Sequence, residues 1–193
     1  MDLSLTIRRL APLVLTAAFL SGSLGGCSWF HHKGKADSAK AEAPPTPSCP
    51  QVAIVPQLAQ ASEFDGAATG YSNVTYTASL SALSSSCALY KQGVAVDATL
   101  KLTLQQGPKG KGGTFDFPYF VAILDSAGNV LAKSIFSSPL SPNERQLRIG
   151  SKEAIHEFIP LSDPMASGSY SVVIGFQLDD RQTAFNRSTG VGE

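Results

Sequence analysis

The sequence predicts an all-β fold, a single antiparallel sandwich of about 7–8 strands in residues 49–187. Two observations predict it. From Val74 onward, apolar residues recur at every second position, the period of a strand with one buried face. Clusters of Gly, Pro, Asn, Asp and Ser punctuate these runs every 8–12 residues or so, as short strands joined by turns require.

The elements follow in chain order. Cys49, directly after Pro44-Pro45-Thr46-Pro47-Ser48, opens the domain and its first strand. In residues 73–83, Val74, Tyr76, Ala78, Leu80 and Ala82 alternate with Thr75, Thr77, Ser79 and Ser81. In residues 93–104, Val94, Val96, Ala98, Leu100, Leu102 and Leu104 form the apolar set. Such strands suit an antiparallel sheet with one face in the core and one in water. Residues 106–114, QGPKGKGGT, read as a glycine-rich hairpin loop. They are not a phosphate-binding loop, because Gly112-Gly113-Thr114 leads into a strand where GK[ST] must open a helix. Residues 117–124, FPYFVAIL, are apolar on both faces and predict a central or covered strand, with Pro118 where no ladder donor is needed. Residues 125–129, DSAGN, predict a hairpin into 130–136, with Gly128 at positive φ. A strand over 153–161, a turn in SDPMASGS and a strand over 170–178 complete the set. Residues 179–187 predict a short helix, with Asp179 and Asp180 at its start, Arg187 at its end and Phe185 packed on the sandwich. Residues 188–193 read as a frayed tail.

The stretch SDPMASGSYSVVIGF resembles the Gly-x-Tyr approach to a late strand of immunoglobulin-like domains. That resemblance implies an immunoglobulin-like sandwich with Tyr170 as a corner tyrosine, its hydroxyl bonded back to the preceding turn. The segments CPQVAIVP, FPYFVAILD and GFQL are similar to those of uncharacterised proteobacterial envelope lipoproteins, a likeness that implies no activity.

The N-terminus sets an address. Arg8 and Arg9 precede Leu10–Leu20, an uncharged apolar run followed by Ser21, Gly22 and Ser23. The run has the length of a secretory h-region and is too short to span a bilayer. Leu24-Gly25-Gly26-Cys27 resembles the lipobox of bacterial lipoprotein precursors. That resemblance implies a signal peptide over 1–26, cleavage between Gly26 and Cys27, a diacylglyceryl thioether on Cys27 and an acylated N-terminus. Three chains anchor effectively permanently, where one holds reversibly. In that class of precursors an Asp after the Cys favours inner-membrane retention, so with Ser28 here the resemblance implies the outer membrane, on its periplasmic face, rather than the inner membrane. The alternative is an ordinary signal peptide with a chance cysteine. Residues 28–48, rich in Ala, Lys, Pro and Ser, read as a tether. About 20 flexible residues span roughly 25 Å. His31-His32 in this tether have no third ligand beside them, so no metal site is expected.

Three cysteines are present. With Cys27 lipidated, Cys49 and Cys87 remain, and an even pair in an oxidising compartment reads as a disulfide. A reactive or metal-binding thiol pair is the alternative, but neither residue has a His neighbour or a C-x-x-C partner.

The chain carries 15 basic and 15 acidic side chains, and no basic run stands out. Nucleic acid is therefore not an expected partner. Convergent catalytic groups are also missing. His156 shares a strand face with Ala154 and Phe158, while Glu153 and Glu157 project to the other face. No G-x-S-x-G elbow is present, and Asp97, Asp116, Asp125 and Asp163 are scattered. No cofactor is expected. The reading is a non-catalytic interaction or accessory module with an envelope protein partner. The alternative is a glycan- or lipid-binding module using Tyr71, Phe115, Phe117, Tyr119 and Phe120 as an aromatic patch.

Overall fold

The structure, a computed structural model, describes residues 47–143 and 145–192. Cys27 and its lipobox, the tether up to residue 46, and Glu193 lie outside the described residues. Eight strands form two four-stranded sheets, the predicted β-sandwich. The strands are β1 (Gln51–Ile54), β2 (Gln60–Phe64), β3 (Val74–Tyr90), β4 (Gly93–Gln106), β5 (Tyr119–Leu124), β6 (Val130–Phe136), β7 (Arg148–Pro160) and β8 (Ser171–Phe176). Sheet I has the order β1-β8-β5-β6 and sheet II the order β2-β3-β4-β7.

The alternating apolar residues point between the sheets. Tyr76, Leu100, Leu102, Leu104, Tyr119, Ile155, Ile174 and Phe176 are among the fully buried side chains. β5 is internal to sheet I, as its two-faced apolar character predicts. Pro118 precedes it, and the Pro118 carbonyl accepts from the Gln177 N–H. In the β5–β6 hairpin, Gly128 has φ 84°. There the Asn129 side-chain amide, with the Asn129, Ala127 and Gly128 N–H groups, holds the Asp125 carboxyl below the usual carboxylate range.

Four expectations are corrected. The sandwich is not purely antiparallel, because β1 pairs parallel with β8 over Gln51–Ile54 and Ser171–Ile174. Parallel partners cannot be joined by a tight turn, and here nearly the whole domain separates them. The loop after β4 is not a hairpin, since β4 and β5 belong to different sheets. It crosses the sandwich, held by the Tyr76 hydroxyl donating to the Lys111 carbonyl and by the Phe115–Leu140 bridge. β3 runs seven residues past Leu83, through Ser84-Ser85-Ser86. Its register with β4 shifts between Ser81 and Ser84, where Ala82 has φ 51°. This bulge reverses which parity faces inward. Val74, Tyr76, Ala78 and Leu80 point inward before it, and Cys87 packs against the core after it. Finally, the tail is not frayed up to Gly192. The Val191 N–H donates to the Asn186 carbonyl, and the Gln57 amide donates to the Gly192 carbonyl.

The predicted helix is present as α1 (Asp180–Ser188). Asp179 caps it, accepting from the Gln182 N–H while the Gln182 side chain accepts from the Asp179 N–H. Phe185 meets Phe64 edge-on, with ring centroids 5.1 Å apart. Asn186 is buried and donates to the Gln57 and Gln60 carbonyls. The predicted disulfide is also present. Cys49 and Cys87 are bonded with their Cα atoms 5.8 Å apart, tying the start of the domain to β3.

Candidate functional site

A polar cluster sits between the sheets beside β7. Glu153 accepts from the Ser138 hydroxyl at 2.8 Å, from the Ser151 hydroxyl, and from the Tyr119 hydroxyl at 3.4 Å. Burial, then the negative charge of Glu153, push the Tyr119 hydroxyl up to about 12. All three hydroxyls donate to the one Glu153 carboxyl group. The cluster ties β5 and the segment after β6 to β7.

His156 stands on the outer face of β7 with its Nδ1 2.5 Å from Asp97 Oδ1, both side chains well exposed. The register places Ser86, Asp97 and His156 in one row across β3, β4 and β7. A hydrolytic triad needs the histidine between the other two. Here Asp97 is the middle residue, and two strand spacings of about 4.8 Å separate Ser86 from His156. Among the described residues, no group of three or more His, Cys, Asp and Glu is placed to hold a metal ion. No described helix is long and apolar enough to cross a membrane.

The candidate aromatic patch does not assemble. Phe117 and Tyr119 are buried in the core. Phe115 lies half-buried against Tyr76, with centroids 4.1 Å apart. Phe120 lies beneath the Lys133 ammonium, 4.5 Å from its ring centroid. Tyr71 is exposed beside the α1 end of the molecule. Tyr170 packs its ring against the core, but among the described residues its hydroxyl makes no hydrogen bond to the preceding turn. The turn is instead held by Asp163 accepting from the Met165 N–H, so Tyr170 lacks the bond that defines a corner tyrosine.

Two surfaces remain open. The first is β6, an edge strand of sheet I exposed along almost its whole length. Val130, Leu131 and Ile135 are 60%, 55% and 62% exposed. Lys133 folds back to the Gln177 side-chain Oε1 at 2.9 Å. The signal was legible in VLAKSIF only once its edge position was known.

The second is the outer face of sheet II, which composition and charge runs do not reveal. Along β7, Arg148, Lys152 and His156 point outward, while Glu153 and Glu157 share the inward parity of Ile155 and Ile159. The strand sorts its cations to one face and its carboxylates to the other. Lys101 of β4 pairs directly with Lys152. The outward positions of β3, opposite β4, carry no charge. Asp97, held by His156, is the one carboxylate on the outward positions of β3, β4 and β7. At the hairpin end, Tyr90, Lys91, Gln92, Ala95 and Phe158 line a shallow depression of about 540 Å³.

No family model, curated protein or solved structure matches the chain.

Proposed function

We propose that the chain is a lipid-anchored envelope lipoprotein, non-catalytic, whose sandwich binds a protein partner in the periplasm. The observation that carries this reading is β6, an apolar edge strand with no covering element among the described residues. Natural sheets blunt such edges with charge; here the one charge on β6, Lys133, is turned back to Gln177 Oε1, which leaves the strand open to an added strand from a partner. The Leu24-Gly25-Gly26-Cys27 sequence supports the anchor, and Ser28 supports the outer membrane. The order Ser86-Asp97-His156, unsuited to a hydrolytic triad, supports a binding role over a catalytic one.

The test is the intact mass of the mature protein, followed by mild in-cell cross-linking beside a Cys27→Ala variant. The reading expects a mature chain starting at Cys27 with three acyl chains, and one envelope protein cross-linked only by the anchored form. A mature N-terminus elsewhere overturns the anchor. Identical cross-links from both forms overturn its role in recognition.

A further inference from the structure

We infer that the outer face of β4 and β7 is a docking surface for an anionic phospholipid bilayer. The inference stands apart from the protein partner proposed for β6, which lies in the other sheet. It also stands apart from Cys27, because it concerns the folded domain alone.

Three observations carry it. First, the charges on this face are sorted rather than mixed. Lys101, Arg148 and Lys152 project outward and the neighbouring Glu153 and Glu157 inward, so the cations lack the cross-strand carboxylates that normally offset them. Second, Lys101 and Lys152 are directly opposed across the ladder, an arrangement that destabilises a sheet. An anionic surface would relieve that repulsion. Third, two aromatic side chains share the face. Tyr90 is 55% and Phe158 49% exposed, and their ring centroids lie 6.4 Å apart. Aromatic rings beside lysine and arginine are what a headgroup layer favours.

The shape selects a surface over a small anion. The floor between the two ends carries Ser84, Ser86, Ala88, Ala95, Thr99 and Ala154 with the exposed Asp97–His156 pair at its middle, and the depression of about 340 Å³ beside Lys101 and Lys152 is open to solvent. A free phosphate would meet two lysines on an open sheet, whereas a bilayer engages both lysines, Arg148 and the aromatic end together. Each juxtamembrane cation near an anionic leaflet contributes about a fivefold gain in partitioning, and the gain falls away within a Debye length.

The test uses the full chain with Cys27→Ala, so that no lipid is attached, and with Trp29→Phe and Phe158→Trp. The indole at position 158 then reports this face alone, whatever the N-terminal segment does. Vesicles of phosphatidylglycerol and phosphatidylcholine, brominated near the headgroup, are compared with brominated phosphatidylcholine alone. Quenching is expected only with phosphatidylglycerol, and raised salt should abolish it. Adding Lys101→Gln and Lys152→Gln should raise the lipid concentration for half-maximal quenching about 25-fold. A companion chain with the indole at position 135 (Ile135→Trp, on β6) should stay unquenched. Equal quenching by both lipids, no quenching at all, or indifference to the lysine changes would overturn the inference. Inorganic phosphate that perturbs the indole in solution, without any quenching by vesicles, would mark a small-anion site and overturn it equally.

Discussion

Removing the Cys49–Cys87 bridge should weaken the domain by an amount the chain itself sets. The two cysteines are 38 residues apart. Closing a loop of that size withdraws about 13 cal/mol/K from the unfolded chain, or roughly 3.9 kcal/mol at 25 °C. The folded side adds a local effect. β1 is held to sheet I by a four-residue parallel ladder to β8, and by the Ser167 hydroxyl donating to the Ser48 carbonyl. Without the bridge this edge strand keeps only that ladder, the Val55–Ile174 bond and the packing of Val52 and Ile54 on the core. The variant is Cys49→Ala with Cys87→Ala, in a Cys27→Ala background so that no thiol is left to mispair. For a domain of this size, about 3.9 kcal/mol lowers the thermal midpoint by roughly 8–16 °C. Denaturant unfolding should also show a steeper slope, because an uncrosslinked unfolded chain exposes more surface. Amide exchange should quicken first in β1. A midpoint drop under about 3 °C with an unchanged slope would refute the reasoning. It would mean that the unfolded chain is already constrained around these residues.

Other perturbations test separate parts of the structure. Asn186→Ala removes the donor to the Gln57 and Gln60 carbonyls. It should cost about 2 kcal/mol and expose residues 189–192 to rapid amide exchange, whereas a tail without structural value would leave both unchanged. Lys152→Glu places a carboxylate opposite Lys101. It should stabilise the fold by about 0.5–1 kcal/mol at low salt, less at high salt, while weakening docking to phosphatidylglycerol, so stability and lipid binding move in opposite directions. Glu157 is raised by burial above its ordinary range. A carboxyl raised on folding supports stability fully below its unfolded value and loses that support as pH rises through its folded value. Glu157→Gln should therefore raise the thermal midpoint at pH 7, with the gain vanishing below about pH 4. A gain that grows toward acid would contradict the assignment.

Much of the fold was legible because the signals are local. Period-two alternation located β4 and β8, the two-faced apolar run located β5, and DSAGN located the turn into β6. Asp179 and Phe185 located α1 and its contact. What failed to show depends on distant residues or on a break in phase. The bulge at Ala82 reverses the alternation of β3, so Ser84-Ser85-Ser86 look like loop although they continue the ladder. The direction of β1 is set by β8, at the far end of the chain. The tail holds because Asn186 and Gln57 meet across the fold. The basic face was invisible for the same reason. Lys101 and Lys152 become neighbours only through the register of β4 and β7, and neither belongs to a run of charge.

The central claim, that β6 receives a partner strand, is tested most directly by site-specific photo-cross-linking in living cells. A photoreactive residue at Leu131 or Ile135 of the anchored protein is compared with one at Thr99 on sheet II. The account predicts one envelope protein captured from both β6 positions and not from Thr99, with capture abolished by a proline at Ser134. Capture of the same protein from Thr99, or none from β6 at native abundance, would contradict it.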